Sequence, residues 1–225
     1  MPRISQPRPR TFSSSPHSSP DLPELYPPKD SEGPLSTELA GYVTDYQRSG
    51  DLGQLLDKLR AFAGRTDPVF LAAAAKPFLG MPEVVIPLYE RIIADRPTDA
   101  QAMVILANAY WLAGRGPDVV SRLASKAKDV DPSNRGAWHL WALAESGVRK
   151  RVDRWLEVTK RFPGDQLARA ALADNATSLA TDEDDPVALK LAIETYEGLL
   201  AEGPPTAQRL ALEETLKALR HGSGT

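Results

Sequence analysis

The sequence predicts an all-α protein, an α-solenoid of repeated helix-turn-helix pairs that ends in a C-terminal capping helix. From residue 35 onward, helix-length segments rich in Ala and Leu alternate with Gly or Pro, and none shows the two-residue alternation of a strand. Glycines recur at nearly even spacing, at Gly50, Gly80, Gly114 and Gly147. Prolines recur about half a period later, at Pro97, Pro132, Pro163 and Pro204. Glycine and proline both break helices, and two interleaved series of them with a period of about 34 residues indicate tandem helix pairs.

The segment before these repeats has a different composition. Residues 1–34 hold nine of the 20 prolines and seven serines, with few aliphatic residues to bury. Because ordering such a segment costs entropy that little burial offsets, we predict a disordered tail. The tail is basic up to Pro20 and mostly acidic afterwards. Residues 35–221 are then the solenoid, with about five helix pairs and a cap, and residues 222–225 are a flexible C-terminus.

Side chains at fixed offsets from the prolines test the repeat. Eight residues before each proline, the chain has Tyr89, Ala124, Trp155 and Tyr196. Five residues before, it has Ile92, Ala127, Val158 and Leu199, and twelve before, it has Val85, Val120, Arg151 and Ala192. These offsets lie on one helical stripe, so we expect the second helix of each pair to bury them, with Arg151 as the departure.

The clearest unit runs from Ala100 to Pro132, and its neighbours share its framework of large, small and turn residues. Its framework residues are Met103, Leu106, Ala107, Tyr110, Gly114, Val120, Leu123 and Pro132. The next unit places Trp138, Trp141 and Trp155 on framework positions, which predicts that these three indoles are core. On these residues the sequence resembles the tetratricopeptide repeat family, with alanine in place of the small glycine of the family's first helix.

The unit after Pro163 is longer than the others. Six polar residues, from Thr181 to Pro186, are predicted to form a loop that bulges from the packed interface. After Pro205, Leu212, Leu216 and Leu219 share one side of a final helix, which suits a cap over the last repeat.

The resemblance implies a function as well as a fold. Solenoids of this family bind partner segments on an inner surface lined by first helices, so we expect a non-catalytic adaptor or scaffold for protein–protein interaction. Carrying over the family's lining positions gives a partner-binding groove of Gln101, Val104, Asn108, Trp111, Leu112, His139 and Leu143. An exposed Trp111 beside the amide of Asn108 suits an apolar or amphipathic peptide or helix. Some family members bind a partner's terminal carboxylate through cations or amides at the positions of Val104 and His139. Binding of a terminal carboxylate is therefore disfavoured here.

One alternative function uses a basic run. Arg149, Lys150, Arg151 and Arg154 form a possible basic patch within the stretch from Arg149 to Arg161, which also holds Lys160. Such a run would contact nucleic acid or a nucleoprotein through phosphates, and its binding would weaken strongly with salt. The usual role of such a run is a solvated helix face. A third possibility is self-assembly through the exposed ends of the solenoid.

Composition excludes several classes of protein. The chain has 225 residues, a formal charge of -3 and no cysteine, which rules out disulfides and thiolate metal sites. No phosphate-binding glycine loop, hydrolase elbow or metalloprotease motif occurs, so we predict no enzyme activity, no cofactor and no metal. No apolar run approaches the roughly 18 residues of a membrane span, and no secretory signal is evident. We therefore expect a soluble, cytoplasmic protein.

Overall fold

The structure, a computed structural model, describes residues 32–222, and all the regular secondary structure within this range is helical, with no strand. The helices are α1 Glu32–Ser49, α2 Leu52–Arg65, α3 Pro68–Ala75, α4 Pro82–Asp95, α5 Ala100–Leu112, α6 Pro117–Val130, α7 Arg135–Leu143, α8 Val148–Arg161, α9 Gln166–Glu183, α10 Pro186–Ala201 and α11 Thr206–Gly222. A 3₁₀ turn, Lys76–Phe78, extends α3. The described part of the chain thus forms five consecutive helix pairs and a final helix, which confirms the predicted all-α solenoid.

Local sequence explains where these helices begin. Six of them have an aspartate or asparagine N-cap whose side chain accepts a backbone N–H of the first turn, at Asp51, Asp67, Asp99, Asn134, Asp165 and Asp185. These bonds satisfy donors that the helix itself leaves without acceptors. Proline at the first position starts α3, α4, α6 and α10, where its missing N–H is not needed.

Two of the recurring glycines end first helices in a conformation that other residues rarely adopt. Gly50 has φ 71° after α1, and Gly114 has φ 66° after α5. A side chain at either position is strained by the left-handed backbone, even though space for a Cβ is available. The predicted helix–turn–helix breaks therefore have a backbone cause at these two positions.

The predicted stripes form the core. Tyr89, Ala124, Trp155 and Tyr196 are all buried, as are the residues five before each proline. Arg151, twelve residues before Pro163, is not part of the apolar core. Its guanidinium donates to Asn175 Oδ1 at 2.6 Å and to the Glu145 carbonyl at 2.9 Å. The next residue, Val152, is buried instead. The tandem-repeat prediction is confirmed at the level of individual side chains.

Two sequence-based boundaries differ from the structure. The predicted loop from Thr181 to Pro186 is wrong, since α9 continues through Glu183 and only Asp184 and Asp185 separate it from α10. The polar residues extend α9 by one turn into solvent, and Asp184 turns the chain with φ 51°. At the other end, α1 begins at Glu32, earlier than the predicted start at residue 35, because Pro34 fits a first helical turn.

The remaining terminal predictions lie outside the described residues. The tail prediction for residues 1–31 and the flexible end at 223–225 fall in this category. The predicted cap is present as α11, which packs on α10 and buries Leu212 and Leu216. None of the helices described is long and apolar enough to span a membrane.

Candidate functional site

First helices of neighbouring pairs pack on one another in two cases. α1 packs on α3 and α5 packs on α7, while the second helices α2 and α4 pack on each other. We call α1, α3, α5, α7 and α9 the first-helix layer, and α3, α5 and α7 the central first helices. The predicted groove residues all lie on α5 and α7, so the structure places the candidate site on the central first helices.

Helix α5 has one buried side and one side open to solvent. Its buried side contains Ala102, Met103, Leu106, Ala107 and Ala109. Its open side carries the five predicted groove residues, with Gln101, Asn108, Trp111 and Leu112 exposed and Val104 half-buried. The predicted stripe is therefore one continuous face of a helix.

Apolar area on this face is concentrated at the end of α5. Trp111 is 40% exposed and Leu112 is 55% exposed, although both are large apolar side chains. Asn108 lies one helical turn before them, and its amide makes no hydrogen bond with any residue in the described range. Exposed indole, leucine and an uncommitted amide can together bury a partner's apolar side chain and bond its backbone.

The start of α5 is tied to α7 instead. The Asn134 amide donates to Gln101 Oε1 at 3.2 Å, so the Gln101 amide already has a partner. Gly136 allows a close approach of the two helices, since a Cβ there would lie 3.0 Å from Val104 Cγ1. Gln101 and Val104 therefore join neighbouring repeats, and the open part of the face begins at Asn108.

On α7 the two predicted groove residues have different environments. Leu143 is 39% exposed, at the register position that Asn108 occupies on α5. His139 instead has its Nε2 2.6 Å from Oδ2 of Asp165, a residue that is only 5% exposed. Asp165 also caps α9 through the Ala168 N–H. His139 therefore links two repeats, and its ring does not extend the apolar groove.

The same register points to a residue that the sequence reasoning missed. Counting from the N-caps Asp99 and Asp165, Leu167 on α9 is equivalent to Gln101 on α5. Leu167 is 72% exposed, so it adds apolar surface to the first-helix layer. The N-cap spacing would have identified it, because aspartate precedes both helices by one residue.

The central first helices have an unusual charge pattern. α3, α5 and α7 contain no Asp or Glu. The aspartates that precede α3 and α5, Asp67 and Asp99, accept backbone N–H groups as caps. Lys76 directly after α3 is an exposed cation, and Arg135 at the start of α7 is exposed with its Nε 3.7 Å from Asp165 Oδ2. The candidate site is therefore apolar and free of uncommitted carboxylates.

The predicted basic patch on α8 is largely paired within the chain. Arg149 contacts Glu183 at 2.7 Å and Asp185 at 2.8 Å. Arg154 donates to the Trp141 carbonyl at 2.6 Å and to Ser121 at 3.0 Å. It also contacts Glu145.

Glu145 is held ionised by two groups. The Gly147 backbone N–H donates to it at 3.0 Å, and Arg154 Nη2 lies 2.7 Å from its Oε2. The Gly147 bond and the Arg154 charge hold the pKa of Glu145 below its usual range. With Arg151 bonded to Asn175, only Lys150 of the four predicted cations makes no ion pair or hydrogen bond within residues 32–222.

The three tryptophans predicted as core are not equally buried. Trp155 is 5% exposed, whereas Trp138 and Trp141 are half-buried and meet edge to face at 5.7 Å. Lys128 Nζ stands 4.4 Å from the Trp138 ring and 3.8 Å from the Trp141 ring. Lys128 on α6 therefore makes cation–π contacts with both indoles of α7, and these contacts help α6 pack on α7.

No group of three or more metal-ligating side chains is gathered among the residues described. The described helix pairs stack as in tetratricopeptide-like proteins, with an exposed apolar face on α5 and α7.

Solved structures agree with this fold. The chain matches a MamA crystal structure with a TM-score of 0.52 at 15% identity, covering 76% of this chain and 97% of that one. It also matches a thermophilic TPR protein of Thermus thermophilus with a TM-score of 0.50 at 18% identity, covering 82% and 98%. No protein-family model matches the sequence, and no curated protein matches it. The fold is tetratricopeptide-like.

Proposed function

We propose that this protein is a non-catalytic adaptor whose central first helices bind an apolar or amphipathic segment of another protein. The observation that carries the proposal is the exposed apolar face formed by Trp111, Leu112 and Leu143 on two helices that pack together. Large apolar side chains on successive repeats match the way solenoids bind extended or helical segments. The likeness to a thermophilic TPR protein supports the same kind of architecture.

The chemistry of the face favours a particular kind of partner. An indole buries a large area at low entropic cost, and the Asn108 amide can bond a backbone group beside it. A strongly basic partner gains little here, because the central first helices contain no carboxylate. We do not propose phosphate binding at the basic patch, because Arg149, Arg151 and Arg154 already hold partners within the chain.

Affinity capture with mass-spectrometric readout tests the proposal. The comparison uses wild type and a Trp111→Ala, Asn108→Ala double variant. Loss of a central tryptophan contact costs at least ~2 kcal/mol, or roughly 30-fold in affinity, so the partner should disappear from the double variant. Calorimetry with the captured partner then measures the change directly.

The matched control removes apolar surface elsewhere. Val187, 75% exposed, and Leu210, 56% exposed, lie on α10 and α11, away from the central first helices. A Val187→Ala, Leu210→Ala variant should retain the partner at wild-type levels. Equal recovery from all three proteins would refute binding at Trp111.

A further inference from the structure

Helix α11 closes the described part of the solenoid but is packed on one side only. The first helices α5, α7 and α9 each pack on the helix before them and on the helix after them. Within the described range, α11 packs closely on α10 alone. It takes the place of a sixth first helix with no second helix beside it, and a groove therefore remains between α10 and α11.

The groove has both apolar and charged lining residues. Its volume is about 600 Å³, and its apolar lining consists of Leu200 and Ala201 from α10 and Leu216 from α11. Glu213 and Lys217 line it from α11 as exposed charged residues. The groove therefore suits a helix that brings apolar and charged side chains together.

Three exposed side chains mark the side of α11 that borders the groove. Leu210, Glu213 and Lys217 follow the i, i+3, i+7 spacing of one helical stripe. Leu210 is 56% exposed, and neither Glu213 nor Lys217 has an ion-pair partner among the described residues. Arg220 differs from them, because it already contacts Glu197 of α10.

We propose that α11 of a second copy of this chain occupies the groove, packed antiparallel about a two-fold axis. In such a contact the same surface serves both copies, and its residues meet in reversed order. With the axis beside Thr215, halfway between Glu213 and Lys217, Glu213 of each copy faces Lys217 of the other. The same register sets Leu210 against the aliphatic stem of Arg220. The stripe is thus complementary to itself in charge.

This charge order selects α11 itself as the occupant. A parallel pair in equal register would set Glu213 against Glu213 and Lys217 against Lys217, and like charges repel. An unrelated helix would need a cation and a carboxylate at matching positions, a condition that an antiparallel copy of α11 fulfils by symmetry. The contact uses α10 and α11 and leaves α5 and α7 untouched, so the inference is independent of the proposed function.

The contact is small, which sets its expected strength. A single pair of helices buries less than the ~1,600 Å² of a standard stable interface. We therefore expect a dissociation constant on the order of 10–100 μM, with monomer and dimer in exchange.

Sedimentation equilibrium of the full chain, from about 5 to 500 μM, tests the dimer. The mass should rise with concentration from 24.5 kDa toward twice that value. Leu210→Lys should weaken the dimer at least about tenfold, because it removes an apolar contact on both sides of the axis and sets a cation against Arg220. Leu52→Lys is the matched control, since Leu52 is an exposed leucine at the start of α2, and it should dimerise like wild type.

Charge reversal tests the antiparallel register. Glu213→Lys and Lys217→Glu each set like charges against one another on both sides of the axis, so each variant alone should dimerise about tenfold or more weakly. An equimolar mixture of the two variants restores both opposite-charge pairs and should form a heterodimer with about wild-type affinity. Lys126→Glu, an exposed charge on α6, which packs on α5 and α7, should leave the dimer unchanged.

The outcomes separate this dimer from other contacts. A constant mass over the whole concentration range overturns the proposal. A mass increase that persists in Leu210→Lys overturns it as well, since the copies would then meet elsewhere. A mixture of the two charge variants that stays monomeric overturns the antiparallel register, whereas rescue in the mixture also excludes unfolding as the cause of the monomeric behaviour.

Partner capture keeps this proposal distinct from the proposed function. Leu210 lies outside α5 and α7, so Leu210→Lys should still capture a partner that depends on Trp111. A monomeric wild-type chain that captures such a partner refutes only the dimer. A dimeric chain without any partner that depends on Trp111 refutes only the adaptor function.

Discussion

The first and second helices of the central repeats pack on each other but have different outer faces. The first helices α3, α5 and α7 carry no carboxylate and expose Trp111, Leu112 and Leu143. The second helices α4, α6 and α8 are rich in charged residues, and several of their arginines are paired within the chain, as Arg91 is with Asp95 at 2.7 Å.

The difference shows how one repeat divides two tasks. Charged second helices keep one side hydrated and link neighbouring repeats through side-chain bonds such as Arg154 to Ser121. The central first helices are packed by small and aliphatic residues, and their outer side chains Trp111, Leu112 and Leu143 remain exposed for an apolar ligand.

The largest expected effect compares two tryptophans, one from each layer. Trp155 on α8 is buried and Trp111 on α5 is 40% exposed. We expect Trp155→Ala to lower the free energy of unfolding by about 4 kcal/mol, and Trp111→Ala by about 1–2 kcal/mol. Urea unfolding followed by circular dichroism measures both values.

A conservative substitution sharpens this test. No described acceptor lies within hydrogen-bond distance of Trp155 Nε1, although the atom is buried. Trp155→Phe retains most of the apolar area and removes this N–H, so it should cost much less than Trp155→Ala. Equal losses at Trp111 and Trp155 would contradict the division into a core layer and an open face.

An intermediate effect is expected within the basic patch. The side chain of Arg154 is 23% exposed and that of its partner Glu145 is 13% exposed, so Arg154→Ala leaves several acceptors unpaired. We expect a loss of about 2 kcal/mol in unfolding free energy, whereas Lys150→Ala on the same helix should change it by less than about 0.5 kcal/mol. Small and equal losses would indicate a solvated patch that is free to bind phosphate.

The smallest effect concerns acid. Because the folded state lowers the pKa of Glu145 below its ordinary 4.5, its contribution to stability is complete above that value. The contribution is lost as pH falls through the lowered folded pKa. Glu145→Gln should therefore destabilise at pH 7 and flatten the decline in stability between neutral pH and pH 3, by less than about 1 kcal/mol.

Thermal unfolding of both proteins across this pH range provides the measurement. Glu157→Gln, on the exposed face of the same helix, is the matched control. A decline in stability that is as steep in Glu145→Gln as in wild type would show that the Gly147 and Arg154 contacts do not form in solution.

Much of the fold could be predicted from the sequence because repetition leaves local signals. Regularly spaced breakers indicated helix pairs, and the offsets before Pro97, Pro132, Pro163 and Pro204 identified buried residues. The loop predicted from Thr181 to Pro186 was wrong because polar residues are compatible with either a loop or a helix that projects into solvent. Side-chain polarity alone does not distinguish these two cases.

The candidate site was predictable only in part. Register identified the face of α5, and Trp111 and Leu112 are exposed as expected. Register did not indicate that His139 would bond Asp165, 26 residues later in the chain. The partners of Arg149 and Arg154 were equally hidden, because they belong to other helices.

Sequence by itself determined the repeat period, the helix starts at Asp and Pro, and the stripes that become core, because each depends on neighbours within one or two turns. Only the tertiary structure decided which polar side chains are engaged. An imidazole, an amide or a guanidinium has the same local sequence context whether it meets solvent or a partner one repeat away. In the folded chain, Asp165, Asn134 and Glu183 lie within hydrogen-bond distance of His139, Gln101 and Arg149. Asn108, Trp111 and Leu112 have no such partner among the described residues and remain exposed.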